Sequence, residues 1–191
     1  MARRYYRSRI RYVKPKRKWA SNITNLSVNA NVGVSGEYLL YKQLCANSVQ
    51  SGTIPTPTII KCGNFKVQGD LTYYTAASGQ SLYSGRISAV AYIVYIPEGI
   101  VISGNVTATT GQGIIDAHPE WVMCWKVIDF DYGSTNTAAA FSFSSRLKRN
   151  LNSGDSIYYF VIPKAGSLES GATGNSQLRF NGAVQFWTCA N

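Results

Sequence analysis

The chain has 191 residues, 45% of them hydrophobic, and its 19 lysines and arginines against 9 acidic residues give a formal net charge of +10. This length suits one well-filled domain, and a basic excess of this size favours a polyanionic partner. The single histidine and the four widely spaced cysteines, with no C-x-x-C pair, disfavour a zinc site. We therefore expect neither a metal nor a cofactor.

The positive charge is concentrated at the start of the chain. Nine of the first eighteen residues are cationic and none is acidic, which leaves ten basic against nine acidic residues, a net charge of +1, in residues 19–191. A charge block of this kind cannot bury enough apolar surface to offset the entropy of ordering itself. We therefore predict a disordered basic arm over residues 1–20 and one folded domain over residues 21–191.

The composition of the arm predicts binding to single-stranded nucleic acid. Arginine forks match phosphate geometry, counterion release gives affinity, and tyrosine or tryptophan rings stack on unpaired bases. A solvated tail that only aids solubility is the alternative, and membrane insertion is disfavoured because Ile10 and Val13 are the only aliphatic residues of the arm proper. The predicted nucleic-acid-binding residues are Arg3, Arg4, Tyr5, Tyr6, Arg7, Arg9, Arg11, Tyr12, Lys14, Lys16, Arg17, Lys18 and Trp19.

Two further expectations concern the cellular compartment. The stretch Lys14-Pro15-Lys16-Arg17-Lys18 resembles a nuclear import signal, which predicts host nuclear import receptors as partners. The first residues lack the apolar core of a secretory signal. We therefore expect buried thiols in a reducing compartment at Cys45, Cys62, Cys124 and Cys189, with disulfide pairing as the less favoured alternative.

The chain after the arm predicts β-strands. NLSVNANV (25–32) alternates apolar and polar residues, EYLLYKQL (37–44) is ambiguous because Ser35 could cap a helix there, and IIKCGNFKV (59–67) predicts a strand. Runs rich in Val, Ile, Tyr, Phe and Trp follow at 87–97, 121–130, 139–147, 156–163 and 178–187, with a further short strand at 99–109. We expect eight or nine strands in an all-β fold, a single antiparallel jelly-roll β-sandwich.

The strand at 88–96 is apolar on both faces. Val90, Tyr92, Val94 and Ile96 alternate with a second apolar set that begins at Ala89. A sandwich strand normally buries one face and wets the other. The outer face therefore needs a cover, which either a loop of the same chain or a neighbouring subunit can supply.

One basic cluster in the body is a candidate extension of the arm. Strand alternation places Arg146 and Lys148 on one side, with Arg149 beside them, before a turn at Asn152-Ser153-Gly154-Asp155. An ordinary solvated strand end is the equally favoured alternative.

Other candidate residues have simpler structural explanations. Asp129 and Asp131 could face one side of a strand as calcium ligands, but two carboxylates are too few to claim a metal site. An acid-base pair can be drawn within DAHPE (116–120) around His118, but a turn before the next strand explains this stretch better. We assign to the core or to subunit contacts the large rings of Trp121, Trp125 and Trp187.

Four stretches carry a family resemblance across most of the chain: MARRYYRSR at the start, VAYIVYIPEG (90–99), SSRLKRNLNSGDSIYYFVI (144–162) and VQFWTCAN (184–191). With them the chain resembles the coat proteins of small circular single-stranded DNA viruses, the circovirus-like group that encodes a rolling-circle replication initiator. The resemblance implies a single jelly roll, a homo-oligomeric icosahedral shell of sixty copies, and an inward-facing arm that packages circular single-stranded DNA. It also implies a virion protein that passes through the host nucleus and meets an unidentified host receptor.

Several alternatives to this hypothesis stay open. A chain of 191 residues with nine cationic arm residues is lean for this group, which leaves room for the coat protein of a small RNA or satellite virus. A non-capsid nucleic-acid-binding β-sandwich protein and a sugar-binding sandwich with an incidental tail are the others. We expect no enzyme, because one histidine cannot supply the histidine pair of a nicking endonuclease and a Walker A loop is absent.

Overall fold

The computed structural model describes residues 18–33, 36–47, 59–75, 88–104, 106–129, 136–164 and 175–190. Within these ranges the chain forms nine strands, one α-helix and one 3-10 turn at Pro119–Trp121. The helix is α1 (Ala108–Ala117). The strands are β1 (Ala20–Gly33), β2 (Gly36–Glu37), β3 (Leu40–Ala46), β4 (Ile60–Thr75), β5 (Ser88–Ile96), β6 (Val122–Asp129), β7 (Asn136–Leu151), β8 (Ser156–Lys164) and β9 (Asn175–Ala190).

The strands form two antiparallel sheets that pack as a sandwich. One sheet has the order β2-β1-β9-β4-β7 and the other has the order β3-β8-β5-β6. Without the two-residue β2, eight strands remain, and they pair from the ends of the chain inwards: β1 with β9, β3 with β8, β4 with β7, and β5 with β6. This nested pairing, divided between two sheets, is the jelly roll. The predicted all-β antiparallel sandwich is confirmed.

The main core lies between the two sheets. Alternation along each strand places one apolar set there: Phe65, Val67 and Leu71 from β4 face Ala91 and Ile93 from β5. The fully buried rings include those of Phe180 and Tyr159, whose centroids are 4.9 Å apart. Each such Leu, Ile or Phe side chain stabilises the fold by about 1.5–3 kcal/mol through removal from water.

The second apolar face of β5 is covered by the same chain. Val90, Tyr92, Val94 and Ile96 form a second buried cluster with residues on the segment that links β5 to β6, including Ile102, Ala108 and Ile115. This segment contains α1, which therefore lies on the outer face of the four-stranded sheet. Of the two expected covers for this face, a loop of the same chain or a neighbouring subunit, the structure shows the loop. The apolar face of β5 accordingly gives no argument for a subunit contact.

The prediction of a short strand at 99–109 is wrong. This segment leads into α1, whose first turn is capped by the Thr107 side chain, since Thr107 Oγ1 accepts a hydrogen bond of 3.1 Å from the backbone N–H of Thr110. The ambiguous stretch at 37–44 contributes β2 and β3 and no helix, while Ser35 lies outside the described residues. The other expected strands are present, and several are longer than predicted.

Candidate nucleic-acid interface

The described chain begins at the base of the arm, beside the five-stranded sheet. Lys18 is exposed and Trp19 is half-buried just before β1. The Nζ atom of Lys148, on β7, lies 5.1 Å from the centroid of the Trp19 ring, a cation–π contact. Because β9 and β4 lie between β1 and β7, this contact spans the outer face of the sheet. The arm residues 1–17, with most of the predicted binding and import residues, lie outside the described residues.

The basic cluster on β7 is divided between two sides of its strand. Arg146 and Lys148 are exposed and alternate with the half-buried Phe141, Phe143 and Ser145, which face the core side. Strand alternation therefore separates Arg149 from the other two, as expected for a period of two residues. Of the three predicted cluster residues, only Arg146 and Lys148 share the outer face.

Arg149 joins the two sheets at the end of the sandwich. Its Cζ atom lies 5.3 Å from the centroid of the Tyr95 ring on β5, and its guanidinium donates to the backbone oxygen of Glu120. The Tyr95 hydroxyl in turn donates to Asp155 Oδ2 at 2.9 Å. Burial and this hydrogen bond raise the pKa of Tyr95 to about 12. Arg149 therefore has structural partners and does not belong to the surface that Arg146 and Lys148 share.

The buried carboxylate of Asp155 organises the turn between β7 and β8. It accepts the backbone N–H groups of Asn152 at 2.8 Å and Glu98 at 3.1 Å, in addition to the Tyr95 hydroxyl. Gly154 in this turn has φ of 88°, the left-handed region that favours glycine. The turn expected at residues 152–155 is confirmed.

Further cations lie on the outer face of the five-stranded sheet, and two of them are exposed. Lys66 on β4 is exposed and pairs with Ser144 and Gln185 of the neighbouring strands. Arg179 on β9 is exposed, and it donates to Asn181 Oδ1 at 3.1 Å and to Ser27 Oγ at 3.3 Å. We call the outward side of β1, β9, β4 and β7, with the side chains of Lys66, Arg146, Lys148 and Arg179, the basic face.

Acidic side chains are concentrated on the opposite side of the sandwich. Among the side chains that the structure describes on the basic face, Asp70 is the one carboxylate. Glu98, Asp116 and Glu120 belong instead to residues 97–121, a segment without lysine or arginine that covers the other sheet. The domain therefore carries its charge asymmetrically, although residues 19–191 are close to neutral as a whole. The basic face is therefore the more cationic of the two sides among the described residues.

The stretch around His118 forms a turn, as expected. His118 Nδ1 lies 3.2 Å from Glu120 Oε1, and the imidazole stacks on Trp121 with ring centroids 3.8 Å apart and planes inclined by 8°. Pro119–Trp121 is the 3-10 turn that precedes β6. His118 and Glu120 therefore have structural contacts within the turn before β6.

The remaining predicted residues are scattered. Asp129 is the exposed last residue of β6, Asp131 lies outside the described residues, and the described part of the chain has no group of three or more His, Cys, Asp or Glu that could hold a metal. Trp121 packs against the second buried cluster, Trp187 is half-buried, and Trp125 is 61% exposed. A core position is therefore wrong for Trp125, for which a subunit contact stays a prediction.

Comparison with known proteins gives no family assignment. No protein-family model matches the chain, and a search of curated proteins finds no match. In the described ranges, no helix is long and apolar enough to span a membrane.

Sequence reasoning missed Lys66 and Arg179 as possible interface residues. Each is an isolated cation between apolar residues, in Phe65-Lys66-Val67 and in Leu178-Arg179-Phe180. This alternation is a signal that each side chain points away from the core. It contains no signal that β4, β9 and β7 lie side by side, and only that pairing brings the cations to one face.

Proposed function

We propose that the protein is a viral coat protein that assembles into a small icosahedral shell and packages single-stranded nucleic acid through its arm and the basic face. One observation carries the proposal: the arm starts on the basic face, where Trp19 contacts Lys148. The cations of the basic face therefore lie beside the point where the cation-rich arm joins the domain, and in this proposal phosphates bind both. Such a surface gives strong, salt-dependent binding with little sequence preference, as packaging requires.

The finer parts of the proposal come from the family resemblance. They are a sixty-copy shell, circular DNA as the packaged molecule, and nuclear import through Lys14-Pro15-Lys16-Arg17-Lys18. Of these parts, the jelly roll supports only the shell, because this fold occurs in viral capsid domains. Fold alone does not establish a function, so the site carries the argument.

A nucleic-acid-binding sandwich that does not form a shell is the second candidate. It is favoured by the covered outer face of β5, because a chain that buries its own apolar sheet face does not need a subunit there. Trp125 and Val127, on the edge strand β6, are exposed by 61% and 41% and are the most prominent remaining apolar contact candidates on that sheet among the described residues.

Particle mass separates the two candidates. The full chain is mixed with single-stranded DNA at low salt, treated with nuclease, and weighed by analytical ultracentrifugation. A shell gives particles of megadalton mass that contain nuclease-protected DNA. Complexes that stay small and whose DNA is digested would rule out the coat-protein proposal and leave the binding module.

Charge variants test the basic face itself. Arg146→Gln with Lys148→Gln removes two cations from it, and Lys42→Gln with Lys126→Gln removes two exposed cations from the other sheet. Binding to a single-stranded oligonucleotide is measured across a salt series by filter binding. We expect the salt slope to fall by about 0.7 for each phosphate that the first variant no longer neutralises, and to stay unchanged in the second variant. Equal slopes in both variants would exclude the basic face from the interface.

A further inference from the structure

Two tryptophans at the base of the arm contribute to neither core. Trp19 directly precedes β1, and Trp187 lies on β9, where it pairs with Ser21 of β1. Phe186 is buried in the core between the sheets, so alternation places the next side chain, Trp187, on the outer face of the five-stranded sheet. Among the described residues, neither tryptophan belongs to or packs against the two buried clusters. Packing in a core therefore does not explain these two rings.

The strand register places Trp187 in one row with a glycine and a lysine. Gly63 of β4 pairs with Trp187 on one side and with Lys148 of β7 on the other. A Cβ atom at Gly63 would lie 2.6 Å from Lys148 Cγ, so the stem of Lys148 lies directly against the glycine. The ammonium group of Lys148 lies 5.1 Å from the centroid of the Trp19 ring. The missing side chain at Gly63 therefore lets the Lys148 stem pass close to β4 towards Trp19.

A bulge in β4 brings a second cation next to this row. The pairing of β4 with β9 passes from Gly63 and Trp187 to Lys66 and Gln185, so β4 advances three residues while β9 advances two. Bulges re-aim the side chains of the bulged strand. Lys66 is exposed and is a diagonal neighbour of Trp187, at a typical separation of about 7–8 Å. Trp187 therefore has one lysine beside it on the adjacent strand and a second lysine in its own row.

The neighbour of Trp187 on the other side is apolar. Ile23 of β1 pairs with Gln185, which makes Ile23 a second diagonal neighbour of Trp187, and it is 65% exposed. Asp70, the one carboxylate on the described part of the basic face, lies four residues along β4 from Lys66, a distance of about 13 Å in an extended strand. We call Ile23, Lys66, Lys148 and Trp187 the stacking site.

The stacking site suits an unpaired nucleotide. A base offers a flat apolar face to an indole ring, and the phosphates on either side of it can be neutralised by lysines. In a duplex, the neighbouring base pairs cover the faces of each base, so the ring finds no free face. Cations alone would bind single and double strands through their phosphates, without a contact to the bases.

We propose that Trp187 stacks on an unpaired base of a bound single strand, while Lys66 and Lys148 bind the phosphates that flank this base. Trp19, in contact with Lys148, brings the end of the arm to the same place, so the strand passes from the arm to the sheet at the stacking site. The inference rests on the proposed function, because it names the residues and the form of nucleic acid that the basic face binds. It adds contact with a base to a surface of charged and polar groups.

Two ligands that differ only in their bases test the proposal. Binding of the full chain to oligothymidylate and to an abasic strand of equal length is measured by filter binding across a salt series. We expect Trp187→Ala to bind oligothymidylate about five- to tenfold more weakly with an unchanged salt slope, because it loses a ring and no charge. Its binding to the abasic strand should equal that of the parent chain.

Two control variants make the assignment specific. Trp187→Phe keeps an aromatic ring and should recover most of the lost affinity for oligothymidylate. Trp125→Ala removes an exposed tryptophan from the other sheet and should bind both ligands as the parent chain does. Photochemical cross-linking of the parent chain to a single strand that carries iodouracil keeps the test valid if Trp187→Ala does not fold. We expect the linked peptides to include the one that contains Trp187.

The outcomes separate this inference from the proposed function. If Trp187→Ala weakened binding to both ligands equally, or to neither, the stacking contact would be wrong while packaging by charge would stand. Cross-links confined to the arm would lead to the same conclusion. If the parent chain bound neither ligand, the proposed function would fail together with the stacking site.

Discussion

The two sheets of this sandwich bury the same inner core, but their outer faces differ. On the four-stranded sheet, Val90, Val94 and Ile96 point outwards and are buried under the segment that carries α1. On the five-stranded sheet, β1 and β4 alternate between inward and outward positions, and most of the outward residues are polar or cationic. One sheet therefore has 25 residues of its own chain as a cover (97–121), whereas no described segment covers the outer face of the other.

This difference separates stability from recognition within one small domain. The layer formed by α1 and its flanking loops adds buried apolar surface and carries acidic residues, including Asp116 and Glu120. The basic face adds little burial but keeps its cations in water, where phosphates can reach them. Substitutions on the covered sheet should thus change the free energy of unfolding, and those on the basic face should change binding.

The largest effect is expected inside the five-stranded sheet, where two strands have no room for a side chain. Gly69 and Gly182 pair directly, and a Cβ atom at Gly182 would lie 2.3 Å from the Gln68 oxygen and 2.8 Å from the Phe180 ring. Because a backbone oxygen cannot move away cheaply, Gly182→Ala should lower the free energy of unfolding by about 4 kcal/mol or more, or prevent folding.

Gly113→Ala on α1 is the matched control for this substitution. A Cβ atom there would meet nothing within 4 Å, so the variant should gain about 0.5–1 kcal/mol from helix propensity. Chemical denaturation of both variants measures the two changes. Equal stabilities of the two variants would show that the close approach of β4 and β9 does not constrain the sheet.

The next prediction compares a substitution on the covered face of the four-stranded sheet with one on the exposed face of the five-stranded sheet. Ile115 on α1 is 8% exposed against the four-stranded sheet, and Ile23 on β1 is 65% exposed on the other. Ile115→Ala should cost about 2–3 kcal/mol through lost burial and a residual cavity. Ile23→Ala should cost no more than about 1 kcal/mol, from strand propensity alone. Similar losses in urea denaturation would contradict the assignment of the cover to α1.

The strands were predictable from the sequence, whereas their cover was not. The two apolar faces of β5 follow directly from the alternation in SAVAYIVYI. Helix α1, which covers the outer face of β5, does not follow from the local sequence. Its residues Gly111, Gly113, Thr109 and Thr110 all have low helix propensity. Its one local signal is the cap at Thr107, which resembles the many other threonines of a β-rich chain.

The lengths of the strands illustrate a second limit. The chain continues as strand through residues 68–75 of β4, where Gly69 and Asp70 disfavour a strand locally. Pairing with β9 on one side and β7 on the other supplies the backbone hydrogen bonds that keep the segment extended. Such pairing is between residues far apart in sequence, so a local pattern cannot contain it. The basic face could not be predicted for the same reason, because its cations come from three different strands.

The smallest effect concerns two tyrosines of the four-stranded sheet. Tyr159 on β8 is fully buried, and its hydroxyl has no hydrogen-bond partner among the residues that the structure describes. Burial also raises its pKa well above the ordinary value, since a charged phenolate would be still costlier there. Removal of an unsatisfied buried hydroxyl relieves a desolvation penalty, so Tyr159→Phe should raise the free energy of unfolding by about 1 kcal/mol.

Tyr95→Phe removes the same hydroxyl from a satisfied position and should have the opposite sign. The Tyr95 hydroxyl donates to Asp155 Oδ2 at 2.9 Å, and a hydrogen bond to a charged group contributes about 1.5–3 kcal/mol. Loss of this bond also leaves Asp155 with fewer donors in a buried turn, so we expect a decrease of about 1–2 kcal/mol, discounted because the Tyr95 site is partly exposed. Thermal and urea denaturation of the two variants at neutral pH measures both signs. If Tyr159→Phe were as destabilising as Tyr95→Phe, the core between the sheets would contain a partner for Tyr159, and the inner face would be less purely apolar than its packing indicates.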